Sequence, residues 1–359
     1  SDQQQILKNI TIKNKTLSKN IKLNILRELS NSSNISSKLR IKNASINSKE
    51  IKKNSVFFAI KGKQKNGNLF VKEAFLKGAS LAIVNNQKKS KNKIVVKDTL
   101  KFLSNASSIL RENLPSKIIS ITGSCGKTSL KELVGRSLNK ISKATYSPKS
   151  FNNKFGVPLS LFNLKKNDAF GIFEIGMDKK GEIDYLSKII KPDVGVITNI
   201  SYAHIKNFEN INQIAKAKSE IIKNIKVGGY LILNKDDKFY NFFEKIGLKR
   251  NLKILSFSLK NKNATTNLVS ISKEKSKYKI SININKKKIY FYSNSFFEND
   301  LKNLLATITI IAIFKDIHKL DKNIFYDHKV INGRGDMIKV KLFKKYFYLV
   351  DESYNSNPL

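Results

Sequence analysis

The chain has 359 residues, 40% of them hydrophobic, enough for two domains or two and part of a third, and its single cysteine excludes an internal disulfide or a cysteine-based zinc site. No apolar run approaches the roughly 18 residues of a membrane helix, and the start, Ser1-Asp2-Gln3-Gln4-Gln5, lacks the basic flank of a signal peptide, so no membrane insertion and a cytoplasmic location are expected. Lys and Arg number 68 against 27 Asp and Glu, a formal charge of +41 that attracts polyanions, yet the lysines are spread over every segment (Lys52-Lys53, Lys88-Lys89, Lys165-Lys166), so nucleic acid is not the expected partner.

In chain order, residues 41–96 form a compact alternating unit: a strand at 55–60, a helix at 70–77 and a strand at 81–84, with Gly62, Gly67 and Gly78 at its turns. A helix over 99–113 leads to Pro115, where a first domain, 1–115, is expected to end. Beyond it, 117–121 reads as a strand rich in β-branched residues, followed by a glycine-rich turn and a helix from about 128 to 139. Strands at 171–175, 194–198 and 230–233 then alternate with helices at 182–190 and 211–225. That order predicts an α/β fold with a mostly parallel sheet, a central domain over 116–333 behind a smaller N-terminal α/β domain. Between 267 and 292 short polar-apolar alternation predicts antiparallel strands appended to the sheet. Residues 301–314 return to helix. A hairpin over 337–342 and 346–350 opens a new unit, expected to be the start of a truncated C-terminal domain, 334–359.

The strongest local signal is Gly123-Ser124-Cys125-Gly126-Lys127-Thr128-Ser129, between a predicted strand and a predicted helix. This is the context of a phosphate-binding loop. Glycines let backbone N–H groups turn toward a phosphate, and the helix N-terminus adds the positive end of its dipole. Lys127 can reach the outer phosphates and Thr128 can bind Mg²⁺. The spacing Gly-x-x-Gly-Lys-Thr is shorter than the general Gly-x-x-x-x-Gly-Lys-[Ser/Thr].

The loop and four further ordered motifs resemble the Mur ligases, and among them the branch that adds D-alanyl-D-alanine. They are Asn152-Asn153-Lys154-Phe155-Gly156-Val157-Pro158-Leu159, then Glu174-Ile175-Gly176-Met177 with Gly181-Glu182-Ile183, then Ala203-His204-Ile205 through Ala215-Lys216-Ala217-Lys218-Ser219-Glu220-Ile221, and last Gly333-Arg334 with Ser353-Tyr354-Asn355-Ser356-Asn357-Pro358. Upstream, Ser48-Lys49 and Phe57-Phe58-Ala59-Ile60-Lys61-Gly62 resemble the family's substrate-recognition domain, so the likeness covers about residues 40–359. The resemblance implies an ATP-dependent amide ligase, a monomer, whose substrates are a UDP-N-acetylmuramoyl-tripeptide and D-alanyl-D-alanine and whose cofactors are ATP and Mg²⁺. It implies Thr128, Glu174, His204 and a carbamylated Lys218 around the metal, and Lys127 on the migrating phosphoryl group. It also implies Asn303, Arg334 and Glu352 on the nucleotide, and Ser48, Lys49, Asn152 and Asn153 on the UDP-peptide.

Some positions depart from the family pattern. Asn47-Ser48-Lys49 stands where Asp-Ser-Arg is usual, which loses the planar guanidinium fork. Of the family's Gly-x-His-Asn-x-x-Asn, Phe297 to Asn303 keeps Asn303, and the ribose-binding acid falls on Glu352, one methylene longer than aspartate. These departures favour the alternative of an inactive ATP-binding remnant. Another amino-acid-adding Mur ligase and a basic P-loop ATPase acting on nucleic acid are the remaining alternatives. The last requires a localised basic face with interleaved aromatics.

Overall fold

The computed structural model describes residues 20–62, 65–85, 90–202, 207–326, 336–342 and 345–351. Two sheets organise them. The first is parallel, in the order β1 (Asn43–Ser45), β2 (Ser55–Phe58), β3 (Ala79–Val84) and β4 (Lys93–Val95), accompanied by the helices α1 (Ile21–Leu29), α2 (Val71–Leu76) and α3 (Thr99–Asn113). All four residues of β2 are buried because both faces of this sheet are covered. Phe57 and Ala82 point into a small core with Val71 and Ala74 of α2, while Val56, Phe58, Leu81 and Ile83 point the other way, into the larger core shared with α1 and α3. The sharp start of α3 is set by Asp98, whose carboxylate accepts the N–H groups of Leu100 and Lys101 at 2.9 Å.

The second sheet has nine strands, in the order β13 (Lys287–Ser293), β12 (Lys277–Ile284), β11 (Thr266–Glu274), β10 (Lys253–Ser258), β9 (Tyr230–Asn234), β8 (Val194–Ile197), β5 (Lys117–Thr122), β7 (Phe170–Glu174) and β6 (Ala144–Tyr146). From β6 to β11 neighbours run parallel, and β11, β12 and β13 pair antiparallel, as the alternation over 267–292 predicts. Helices α4 (Lys127–Ile141) and α10 (Glu298–Ala312) cover one face, burying Ile119, Ile121, Ile172 and Val196. The opposite residues, Ile118, Phe173, Ile197 and Leu231, belong to the core that also holds the first sheet, together with α5 (Gly156–Phe162) and α6 (Glu182–Ile190). The fold is therefore mixed α/β with mostly parallel sheets.

The junction of the two sheets is polar as well as apolar. Asn163 clasps the Ala44 backbone, accepting its N–H at 2.8 Å and donating to its carbonyl at 3.0 Å. The buried Arg111 of α3 donates to the carbonyls of Ile190, Lys191 and Ser116 and to Asp193 at 2.7 Å.

Several expectations shift. The helix expected over 211–225 is two, α7 (Ile211–Lys218) and α8 (Glu220–Asn224), because the Ser219 hydroxyl bonds back to the Lys216 carbonyl and competes with the helical ladder. The final helix begins at Glu298 and ends at Ala312, and β2 stops at Phe58. Helices α1, α5 and α9 (Tyr240–Lys249) and the strands β1, β4, β6 and β10 lie outside the expected elements; α5 carries Pro158 in its first turn, where the missing N–H costs little. β14 (Asp336–Leu342) and β15 (Lys345–Asp351) form the expected hairpin.

Candidate active site

β5 lies between β7 and β8, so the chain leaves it to build one side of the sheet and returns to build the other. The loop after β5 stands at that switch point, at the carboxyl end of a parallel strand, where open α/β sheets bind ligands. Gly123 has φ +146°, and a Cβ there would come within 1.9 Å of the Thr198 hydroxyl at the end of β8. Gly126, with φ +78°, is the N-cap of α4 and gives that helix no side-chain cap, leaving its first-turn N–H groups directed at the loop.

The loop is shaped from the β8 side. The Asn199 carbonyl accepts Ser124 N–H and its carboxamide oxygen accepts Cys125 N–H, both at 2.9 Å. Thr198 donates to the Cys125 carbonyl at 2.7 Å, and the Ser124 hydroxyl donates to the Ser201 carbonyl at 3.1 Å and accepts the Ser201 N–H at 2.9 Å. Asp237 holds this shelf in turn by accepting Ile200 N–H at 2.8 Å. Lys127 folds over the loop, donating to the carbonyls of Gly123 and Ser124 at 2.9 and 3.0 Å. Asn303 of α10 brings its side-chain oxygen to 3.5 Å from where a Gly126 Cβ would stand.

On the β7 side the arrangement is built from oxygen. Thr128 donates to one Glu174 oxygen at 2.8 Å and Asn152 donates to the other at 2.8 Å, with the Ser150 hydroxyl 3.5 Å from that of Thr128. Thr128 and Glu174 are buried. A hydroxyl next to a carboxylate at the head of the loop helix is a hard-oxygen donor set of the kind Mg²⁺ takes, so these residues fit that ion. Among the described residues no group of three His, Cys, Asp or Glu side chains forms a closed metal cage.

Lys218, on a helix crowded with lysines, is only 1% exposed. Burial, then the nearby charge of Lys127, pushes its amine well below the ordinary lysine range, with Cys125 opposing. Glu220, two residues on, accepts the N–H groups of Gly181 and Asp184, tying this segment to the start of α6.

The structure thus brings together Gly123 to Thr128, Asn152, Glu174 and Asn303, with Lys218 within electrostatic reach. Ser129 lies in the first turn of α4 beside them. Asn153 accepts the N–H groups of Phe155 and Gly156 and so shapes the entry to α5. Ser48 is on the first sheet's side, buried, with its hydroxyl on Glu73 at 2.8 Å, and Lys49 beside it is exposed. His204, Arg334 and Glu352 fall outside the described residues. Thr198, Asn199, Ser201 and Asp237 were missed; the signal was the polar run Thr198-Asn199-Ile200-Ser201 directly after an apolar strand.

Lysines and aromatic rings do interleave on the outer β12–β13 face, where Lys279 lies over Tyr290 and Lys277 over Tyr292 and Tyr326. Those rings are already stacked by the chain's own ammonium groups, and Glu274 pairs with both Lys279 and the Tyr292 hydroxyl. This is a self-satisfied surface, not an open stacking platform for bases.

A glycine-rich loop at the switch point of a parallel sheet, followed by a Lys-Thr helix start and a buried carboxylate, defines the class of P-loop nucleotide-handling α/β proteins. Residues 121–311 match the Mur ligase middle domain. The chain is 30% identical over 292 residues to the UDP-N-acetylmuramoyl-tripeptide–D-alanyl-D-alanine ligase of Buchnera aphidicola subsp. Baizongia pistaciae, covering 80% of this chain and 62% of the relative. It is 31% identical over 298 residues to the protein of the same name in Rickettsia prowazekii, covering 80% and 64%. Among solved structures, MurF from Acinetobacter baumannii superposes with a TM-score of 0.78 at 26% identity, over 93% of this chain and 73% of that one. The chain belongs to the Mur ligase family, and it spans somewhat under two thirds of the length of these two curated relatives.

Proposed function

We propose that the protein is an ATP-dependent amide ligase that joins D-alanyl-D-alanine to a UDP-N-acetylmuramoyl-tripeptide. The observation that carries this reading is the oxygen relay Asn152–Glu174–Thr128 beside an uncapped helix start and Lys127. It couples the segment resembling the D-alanyl-D-alanine-adding branch to the nucleotide loop, and the names of the relatives support the same reaction. The region before Pro115 would recognise the UDP-sugar, residues 116–333 would handle ATP, and 334–359 would begin a further domain. The reading also places the reaction in the cytoplasm, where ATP is available.

A carboxylate and an amine do not condense readily in water because the carboxylate lacks a leaving group. In the proposed reaction the tripeptide carboxylate attacks the γ-phosphorus of ATP, forming an acyl phosphate and releasing ADP. The dipeptide amine then attacks the acyl carbon. Phosphate leaves with the C–O bonding pair as the amide forms, and the amine gives up a proton. Lys127 would release its two loop carbonyls and turn to the outer phosphates, while first-turn N–H groups of α4 donate to them. Thr128, Glu174, His204 and a carbamylated Lys218 would hold Mg²⁺, which when bound supplies charge neutralisation on the phosphates. Asn303, Arg334 and Glu352 would contact the nucleotide, and Ser48, Lys49, Asn152 and Asn153 the UDP-peptide side.

The test is to incubate the protein with ATP, Mg²⁺, the UDP-tripeptide and the dipeptide, and to follow ADP and the pentapeptide product by mass. Equimolar ADP and product are expected. ATP hydrolysis indifferent to the tripeptide, or product formed instead with a single amino acid, overturns the assignment.

A further inference from the structure

A charge with no place in the reaction above sits one turn below the nucleotide loop. Lys131 is fully buried, and its ammonium donates to the carbonyls of Ser147 at 2.6 Å and Lys149 at 2.5 Å and pairs with Glu132 at 3.1 Å. Burying an ammonium is costly and is tolerated when fixed oxygens replace its water. Those oxygens come from the strap that follows β6, residues 147–153. The same strap carries Ser150, facing the Thr128 hydroxyl, and Asn152, which holds Glu174 through its side chain and Gly176 N–H through its carbonyl at 2.8 Å.

The backbone is arranged to let the lysine reach. Gly135, four residues on along the same face of α4, has no side chain where a Cβ would lie 2.4 Å from the Tyr146 ring, so helix and β6 approach closely. At Gly176 a Cβ would lie 2.9 Å from the Asn152 side chain, so the far end of the strap is equally close-packed. The strap is pinned at one end by Lys131 and at the other by Glu174 and Gly176, and both pins lead back to the helix that begins Lys127-Thr128.

We infer that Lys131 is a positioning residue: it locks the 147–153 strap to the loop helix and thereby fixes Asn152 and Ser150 against the Thr128–Glu174 pair. Its consequence is specific, because the strap governs the oxygen side of the site and not the N–H cradle. Loss of Lys131 should therefore impair divalent-cation-dependent nucleotide affinity and leave metal-free nucleotide affinity nearly unchanged. This part rests on the proposed ATP and Mg²⁺ site; the locking of the strap does not.

The experiment uses the whole chain with Lys131→Met, which removes the charge at similar length, and Lys131→Arg, which keeps charge and donors in a larger head group. Amide hydrogen exchange is measured for Asn152 and Gly176, and ADP affinity is measured by calorimetry with Mg²⁺ and with EDTA. In Lys131→Met we expect protection at those two amides to fall at least tenfold while α6 is unchanged, and the gain in ADP affinity conferred by Mg²⁺ to shrink about tenfold. Lys131→Arg should recover most of both. Wild-type exchange at Asn152 and Gly176 in a folded Lys131→Met protein overturns the inference. Weakening of ADP equally with and without Mg²⁺ also overturns it, since that is general damage. If Lys131→Met does not fold, Lys131→Gln, which loses the charge and the reach but keeps a polar head, decides: unchanged exchange and Mg²⁺ response refute the inference, and loss of both supports it. Failure of the wild-type protein to bind ADP defeats the proposed function, and the exchange data still judge the lock.

Discussion

Burial, and after it the charge of Lys127, holds the amine of Lys218 well below its ordinary pKa, so these two lysines cannot both be fully charged at no cost. A neutral amine is the form that adds to CO₂, giving a carbamate and releasing a proton, and the anion relieves the repulsion from Lys127. With ¹³C-bicarbonate the protein should show a carbamate carbon resonance, weakening as pH falls and absent in Lys218→Met. An unchanged spectrum in that variant would refute the assignment.

The same lysine predicts a stability effect. A group whose folded pKa lies below its unfolded value binds fewer protons in the fold, so stability rises with pH up to the unfolded value near 10.4. In CO₂-free buffer Lys218→Met should be more stable than wild type at pH 7, by about 1.4 kcal/mol for each unit of depression removed. Denaturant titration at pH 7 and pH 10 checks it; the difference should narrow at the higher pH.

Lys22 offers an independent case at the junction of the sheets. Burial pushes it down to about 8, opposed by Asp168 and aided by Lys165, while its ammonium donates to the Lys42 carbonyl at 3.0 Å and lies over Phe162. Its depressed pKa penalises the fold fully below pH 8 and releases the penalty between about 8 and 10.5. Wild-type stability should climb through that window by at most about 3 kcal/mol. Lys22→Met should flatten the climb, measured by urea unfolding across the range.

Lys127→Ala should cut ATP turnover about 10²- to 10³-fold, the usual cost of a lost preorganised donor. Its ammonium donates to carbonyls of its own loop and sits at the head of the helix, not in the core, so the melting temperature should stay within a few degrees. Phosphate release together with a thermal melt separates the two effects, and turnover within a few-fold of wild type would remove Lys127 from the reaction.

Two glycines with positive φ should respond differently to alanine. Gly123→Ala drives a Cβ into the Thr198 hydroxyl and should cost about 3 kcal/mol and the loop's shape. Gly181→Ala meets nothing within 4 Å and should cost only the backbone strain of about 1–2 kcal/mol. Thermal unfolding of both variants measures the difference.

The loop and its helix were legible because strand period, glycine spacing and the Lys-Thr pair all fall within a dozen neighbouring residues, whereas Glu174, at the end of another strand, was legible only through the likeness of its motif to the family's. Helix 99–113 was legible to the residue because Asp98 and Pro115 punctuate it. Asn199 and Asp237 were not, since their work is to hold backbone N–H groups more than 35 residues away; Asn199 is marked only by the polar run it shares with Thr198 and Ser201, and Asp237 by nothing in its own neighbourhood. Lys131 was hidden by composition: among so many lysines, a buried one looks like any other until its carbonyl partners are placed. Ser219 falls inside the expected 211–225 helix because a hydroxyl turned back on Lys216 has no signature in an apolar period.

The placement of β5 between strands added later has a kinetic meaning. Thr122 bonds to Ile175 across 53 positions, and Cys125 and Ser124 bond to Asn199 and Ser201 across 74 and 77. The loop is therefore no local turn that could form early on its own; each of these closures carries an ordering cost that is met only when β7 and β8 have docked on either side. During folding the nucleotide cradle is a late acquisition. Recovery of nucleotide binding after dilution from denaturant should then lag behind helix formation and mark the moment at which the parallel sheet is complete.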